Sequence, residues 1–172
     1  MPLLSPLDNL KNNHEVVICD SELSRQAHKE LFHFKDDVYI IAHNESGVFD
    51  AVVNIATTCN SAEEACLSRI HLVLGWENIL KISAWKAAKP APGDAFLVLK
   101  NAGVSSQELQ PFKTADINDM FPWLYYGKRF DVLRKVCHAA KRQLEGHLKS
   151  HSIRVDSHLI ADDTKRIVAS SL

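Results

Sequence analysis

Residues 128–149 constrain the fold more than any other stretch of this chain. Phe130, Leu133, Cys137, Ala140, Leu144 and Leu148 recur at steps of three and four, the period of an α-helix with one apolar stripe. Arg134, Lys135, His138, Lys141, Arg142 and Lys149 lie opposite them. The spacing predicts one long amphipathic helix that buries its stripe against another layer and shows a basic face to solvent. The charge is local. Residues 128–154 hold eight Lys or Arg against Asp131 and Glu145, whereas the whole 172-residue chain has a formal net charge of −1. A partner of opposite sign is the one class of ligand this pattern suggests.

The rest of the chain supplies a core for that helix to pack on. With 46% apolar and 24% charged residues, it has the composition and length of one ordinary globular domain. The expectation is a single domain over 1–172, with 1–14 as a partly ordered lead-in. No apolar run approaches the roughly 20 residues that span a bilayer, and the first residues carry no long apolar leader. Cys19, Cys59, Cys66 and Cys137 are widely spaced with no CxxC pair, which suits free, reduced thiols. A cytoplasmic protein without membrane contact is expected.

Local patterns give a provisional order of elements. Residues 15–19 (EVVIC) form a β-rich run. Asp20 or Ser21 can cap a helix through Phe34, with Leu23, Ala27, Leu31 and Phe34 on one face. Residues 38–43 and 48–58 are rich in β-branched side chains and flank the turn sequence Asn44-Glu45-Ser46-Gly47, which predicts a hairpin. Ser61 and Glu64 match a capping box, followed by a helix over 65–73; Gly75 ends or kinks it, and the helical pattern resumes over 76–88. Residues 95–99 (AFLVL) read as a short buried strand. A short helix over 115–126 precedes the basic helix, residues 153–160 alternate as a strand, and Asp162 or Asp163 can cap a last helix.

Strand, helix, strand, strand, helix, strand matches the βαββαβ order of ferredoxin-like folds. The expected class is therefore α+β: an antiparallel sheet with added C-terminal helices on one face.

No catalytic signature stands out. There is no glycine-rich phosphate loop. Cys137 and His138 are adjacent and so point about 100° apart on a helix, which prevents local pairing. Cys59 is the thiol best placed for reactivity, because it precedes the predicted capping box and a helix N-terminus favours thiolate. His147 and His151 have an i, i+4 metal spacing, but Lys149 lies between them and repels a cation. The pairs Asp36-Asp37, Glu63-Glu64 and Asp162-Asp163 fall at helix ends, where capping accounts for them. No metal and no cofactor are assigned.

The resulting expectation is a small non-enzymatic binding or regulatory protein that acts through protein–protein contacts, with a homodimer among the arrangements allowed. The alternative is nucleic-acid binding by the 128–149 face. There Arg134, Lys135, Lys141 and Arg142 would meet phosphates, and Trp123, Tyr125 and Tyr126 would stack on bases. A third reading is an enzyme with Cys59 or a histidine such as His43 as its reactive group.

Overall fold

The computed structural model describes residues 13–42, 47–61, 67–150 and 152–172. Five strands form one sheet: β1 (Glu15–Cys19), β2 (Tyr39–Ile41), β3 (Arg69–Leu74), β4 (Arg154–Ala161) and β5 (Arg166–Ser170). Their order is β2-β1-β3-β4-β5. The first four run parallel, and only β5 is antiparallel, to β4. Seven α-helices lie among the described residues: α1 (Glu22–Phe32), α2 (Gly47–Ser61), α3 (Trp76–Ala84), α4 (Pro92–Asn101), α5 (Ser106–Leu109), α6 (Met120–Tyr126) and α7 (Phe130–His147).

The fold is thus α+β with a mixed, mostly parallel sheet, and the antiparallel ferredoxin-like arrangement is overturned. Four misread segments explain the difference. The 48–58 run is not a hairpin strand but most of α2. Val48, Val52, Ile55 and Ala56 are its buried residues, at helical spacing, and their tertiary burial outweighs the weak helix propensity of β-branched residues. Residues 69–74, expected in a helix, form the central strand β3. There Ile70, Leu72 and Leu74 face one side of the sheet while His71 and Val73 face the other; a continuous apolar run does not distinguish the two outcomes. Residues 95–99 lie in α4, which starts at Pro92 and is capped by Asp94 reaching back to the Ala91 N–H at 3.1 Å. Finally, the chain turns at 162–165, with Lys165 left-handed (φ 57°), and returns as β5 instead of a last helix.

Other elements match. β1, α1, β4 and α7 fall where expected, and β2 covers the middle of 38–43. Ser21 caps α1 by accepting the Ser24 N–H at 3.1 Å. The 1–12 segment, the 43–46 turn, Glu63, Glu64, Cys66 and His151 lie outside the described residues.

Among the described residues, the two faces of the sheet are covered very unequally. One carries Val16, Ile18, Ile70, Leu72, Leu74, Val155 and Leu159 against α2, α3, α4 and α7. From α7 alone, Val132, Leu133, Val136, Cys137, Ala140 and Leu144 are buried. At about 1.5–3 kcal/mol per large aliphatic side chain, this helix is firmly fixed. Phe130 departs from the expected stripe and is 46% exposed. The opposite face has a small apolar cluster of Val17, Cys19, Ala27, Val73 and Ile160. There α1 buries only Ser24, Ala27 and His28, so apolar burial holds it far less strongly.

Candidate metal centre

The thinly covered face holds three buried histidines. His71 projects from β3, His158 from β4 and His28 from α1, each no more than 5% exposed. The register explains the placement. His71 sits opposite Asp156, and His158, two residues further on, opposite Val73; the period of a strand puts Asp156 and His158 on the same face. α1 crosses this face and lowers His28 onto the pair. Ring centroids are 5.6 Å apart for His28 and His71, 5.4 Å for His28 and His158, and 6.4 Å for His71 and His158. One nitrogen from each ring lies within 4.8 Å of the others.

Each ring also has an outward contact. His28 Nδ1 is 2.8 Å from Tyr39 Oη, and His158 Nδ1 is 2.8 Å from Ser170 Oγ. With the proton on Nδ1 in both rings, each donates to its hydroxyl partner and leaves an Nε2 lone pair directed inward. His71 Nε2 faces Glu15 Oε1 at 3.7 Å, and His71 Nδ1 faces Asp156 Oδ2 at 3.6 Å. Phe32 stacks on His28 at 4.5 Å, and Phe34 and Tyr39 meet its edge. The helix side of the cluster is therefore lined by aromatic rings.

Inside it, His28 Nε2, His158 Nε2, both nitrogens of His71 and Asp156 Oδ2 have no hydrogen-bond partner. Each such buried group costs about 1–3 kcal/mol, and buried polar groups are seldom left this way. Their environment keeps the imidazoles neutral. Burial, with help from the neighbouring rings, pushes His28 down to about 3, and burial with His71 pushes His158 down to about 4. Burial also lowers His71, against the opposing pull of Asp156 and Glu15. Burial raises the Tyr39 phenol to about 12, so it stays protonated. Neutral imidazoles with inward lone pairs are the form that ligates a metal. A tetrahedral zinc at about 2.0–2.1 Å from each nitrogen requires ligand separations of about 3.3 Å, shorter than the 4.8 Å within which these atoms lie, so an ion would have to draw the rings together.

No short-range sequence motif joins these residues, because they come from three separate segments. The one signal was polarity in the wrong place: a histidine inside the apolar strand β3. The i, i+4 pair singled out from sequence behaves otherwise. His147 stacks on Trp85 at 3.8 Å between ring centroids, and its Nδ1 contacts the Gln143 carbonyl at 2.7 Å.

The remaining sequence candidates are scattered. Arg134, Lys135, Lys141 and Arg142 all lie on α7 at exposed or half-buried positions, and none forms an ion pair among the described residues. His138 lies among them; burial and the charges of Lys141, Arg142 and Arg134 lower its pKa. The aromatic stretch is mostly packing. Trp123 meets Phe112 at 4.8 Å and Tyr125 stacks with Phe121 at 5.6 Å, while Tyr126 is 69% exposed. Cys59 is near the C-terminal end of α2 and not ahead of a helix, where the dipole disfavours thiolate, and burial raises its pKa. Burial likewise pushes the thiol of Cys137 up to about 12 and raises that of Cys19.

A second feature sits at the carboxyl ends of the strands. Sheet order reverses between β1 and β3, and such switch points form ligand crevices in open sheets. Here Asp20, Ser21, Gly75, Asn78 and Asp162 line a shallow cleft. Asp20 is already engaged: its carboxylate accepts from Ser24 Oγ at 2.5 Å, the Gly75 N–H at 2.6 Å and Asn78 Nδ2 at 3.0 Å. A Cβ on Gly75 would lie 3.3 Å from Asp20 Oδ2, so the glycine admits this close approach. The clasp ties the start of α1 to the start of α3 and holds β1 and β3 in step.

Among the described residues, no helix is long and apolar enough to cross a membrane. No protein-family model matches the chain, and no curated protein or solved structure matches it significantly.

Proposed function

We propose that this protein binds one divalent transition-metal ion of the zinc class through His28, His71 and His158. The observation that carries the reading is the convergence of three buried, neutral imidazoles whose inward nitrogens lack partners. Imidazole donors suit Zn²⁺, Cu²⁺, Ni²⁺ and Co²⁺ and are poor ligands for Mg²⁺ or Ca²⁺. The outward contacts to Tyr39 and Ser170 act as the orienting shell that metal-bound histidines usually have. Equilibrium dialysis of chelator-treated protein against Zn²⁺ should give one ion per chain. The double variant His28→Ala/His158→Ala should bind none above a non-specific background, and equal uptake by both proteins would exclude the site.

A second reading concerns the opposite side of the molecule. Arg134, Lys135, Lys141 and Arg142 are four cations on one helix with no acidic partner among the described residues, which supports contact with a nucleic-acid backbone. If all four meet phosphates, log affinity for duplex DNA should fall against log salt with a slope of about −3 to −4. Fluorescence anisotropy at low and near-physiological salt measures this, and reversing the four residues to Glu should abolish it. Absence of binding at low salt would return the face to the protein–protein role expected from sequence.

A further inference from the structure

We propose that Asp156 is the fourth ligand of this metal, so that the centre is closed and ties α1 to the sheet instead of activating water. The inference rests on the three-histidine reading above. It concerns the ligand that decides between structural and catalytic work, since catalytic zinc sites keep one position open to water and structural ones do not.

Three observations favour Asp156. First, its Oδ2 is buried without a hydrogen-bond partner, as are His28 Nε2, His71 Nδ1 and His158 Nε2. Three imidazole nitrogens lie within 4.8 Å of one another, and Asp156 Oδ2, outside that cluster but 3.6 Å from His71 Nδ1, would complete a tetrahedral set by turning inward. Second, the backbone places it correctly. Asp156 pairs in register with His71, its Oδ2 stands 3.6 Å from His71 Nδ1, and it shares a strand face with His158. With His71 Nδ1 turned to the metal, Nε2 is the outward nitrogen that faces Glu15. All three rings then have the same design: one nitrogen inward, the other toward Tyr39, Ser170 or Glu15.

Third, the charges balance. A divalent ion held by three neutral rings in this buried site would retain its full charge, which is costly to bury. Asp156 in the coordination sphere and Glu15 behind His71 offset it. Among the described residues' ion pairs, the cation near Asp156 is Arg69, whose Nε is 3.5 Å from Oδ2. Arg69 is 40% exposed on its side chain, whereas Asp156 is 9% exposed. The guanidinium can therefore turn to solvent as the carboxylate moves inward to the metal.

Co²⁺ is the probe, because its visible absorption reports coordination number and ligand exchange. Co²⁺-loaded wild-type protein should show the intense bands of a four-coordinate ion and should not change when azide is added. Asp156→Ala should still bind Co²⁺ through the histidines, at least about tenfold more weakly (a tenfold change being 1.4 kcal/mol), and should gain an azide-sensitive spectrum from its open position. Asp156→Asn keeps the side-chain shape and should weaken binding in the same direction, which separates loss of the ligand from loss of the fold; far-UV circular dichroism checks the latter. Wild-type affinity and spectrum in both folded variants, or an azide response in the wild-type protein, would overturn Asp156 as ligand while leaving the three histidines in place. Failure of wild-type protein to take up Co²⁺ at all would overturn the metal reading with it.

Discussion

Zinc should raise the thermal unfolding midpoint of chelator-treated protein by roughly 10 °C. An ion that binds only the folded chain stabilises it by about 4 kcal/mol at a free concentration a thousand times its Kd, and a chain of this size gains about 2–4 °C per kcal/mol. The unfolded state offers no comparable site, because the ligands come from α1, β3 and β4 and meet only when the sheet is complete. Differential scanning calorimetry with Zn²⁺, with Mg²⁺ as the control, measures the shift. Mg²⁺ should do little, and excess chelator should reverse the effect of zinc. His28→Ala should remove it almost entirely, since that change takes away the one ligand contributed by α1. A midpoint that ignores zinc, or that responds equally to magnesium, would exclude the site as the source of stabilisation.

Acid should destabilise the metal-free protein well before ordinary carboxylates protonate. In the unfolded chain the three histidines titrate near 6.5, whereas in the folded protein His28 and His158 resist protonation down to about 3 and about 4. Between those limits the unfolded state binds more protons, so stability falls as pH falls. The contribution is fully present above about 6.5 and is lost progressively toward pH 4; its size is on the order of several kcal/mol. Urea denaturation at pH 7.5, 6 and 5 should show the midpoint dropping at each step. His28→Leu, which removes one of the buried bases while keeping apolar volume, should flatten that slope. A wild-type stability that stays constant from pH 7.5 to 5 would mean that the histidines are not held neutral by the fold.

Local patterns in the sequence carried the pieces better than their arrangement. α7 and its basic face were legible because an 18-residue amphipathic period overrides noise from single residues. β1 was legible from five β-rich residues, and the Ser21 cap from its position ahead of a helical run. Val52, Val53, Ile55, Thr57 and Thr58 misled because β-branching suggests strand while their spacing allowed helix, and only packing decides between the two. A strand over 48–58 would leave no parallel crossover to β3 and implies an antiparallel sheet, whereas α2 there makes the parallel β1–β3 pairing possible. The buried histidine cluster was not legible at all. Its ligands acquire meaning from register, which pairs His71 with Asp156 across two strands far apart in sequence. A histidine inside the apolar strand β3 was the clearest trace, whereas the i, i+4 spacing lies at His147 and His151.

The slender attachment of α1 has a kinetic consequence. This helix buries little apolar surface yet covers all three histidines and supplies one of them. If the site takes an ion, its buried ligands can be reached only when α1 lifts, and such local openings are far less costly than global unfolding. Metal uptake would then saturate: beyond some concentration, more metal would not load the protein faster, because every molecule would be waiting for its own helix to open. Release would obey the same limit. The residence time of such an ion would be set by the motion of eleven residues as much as by the strength of its bonds, and the Asp20 clasp, which ties the start of α1 to the start of α3, would slow that motion.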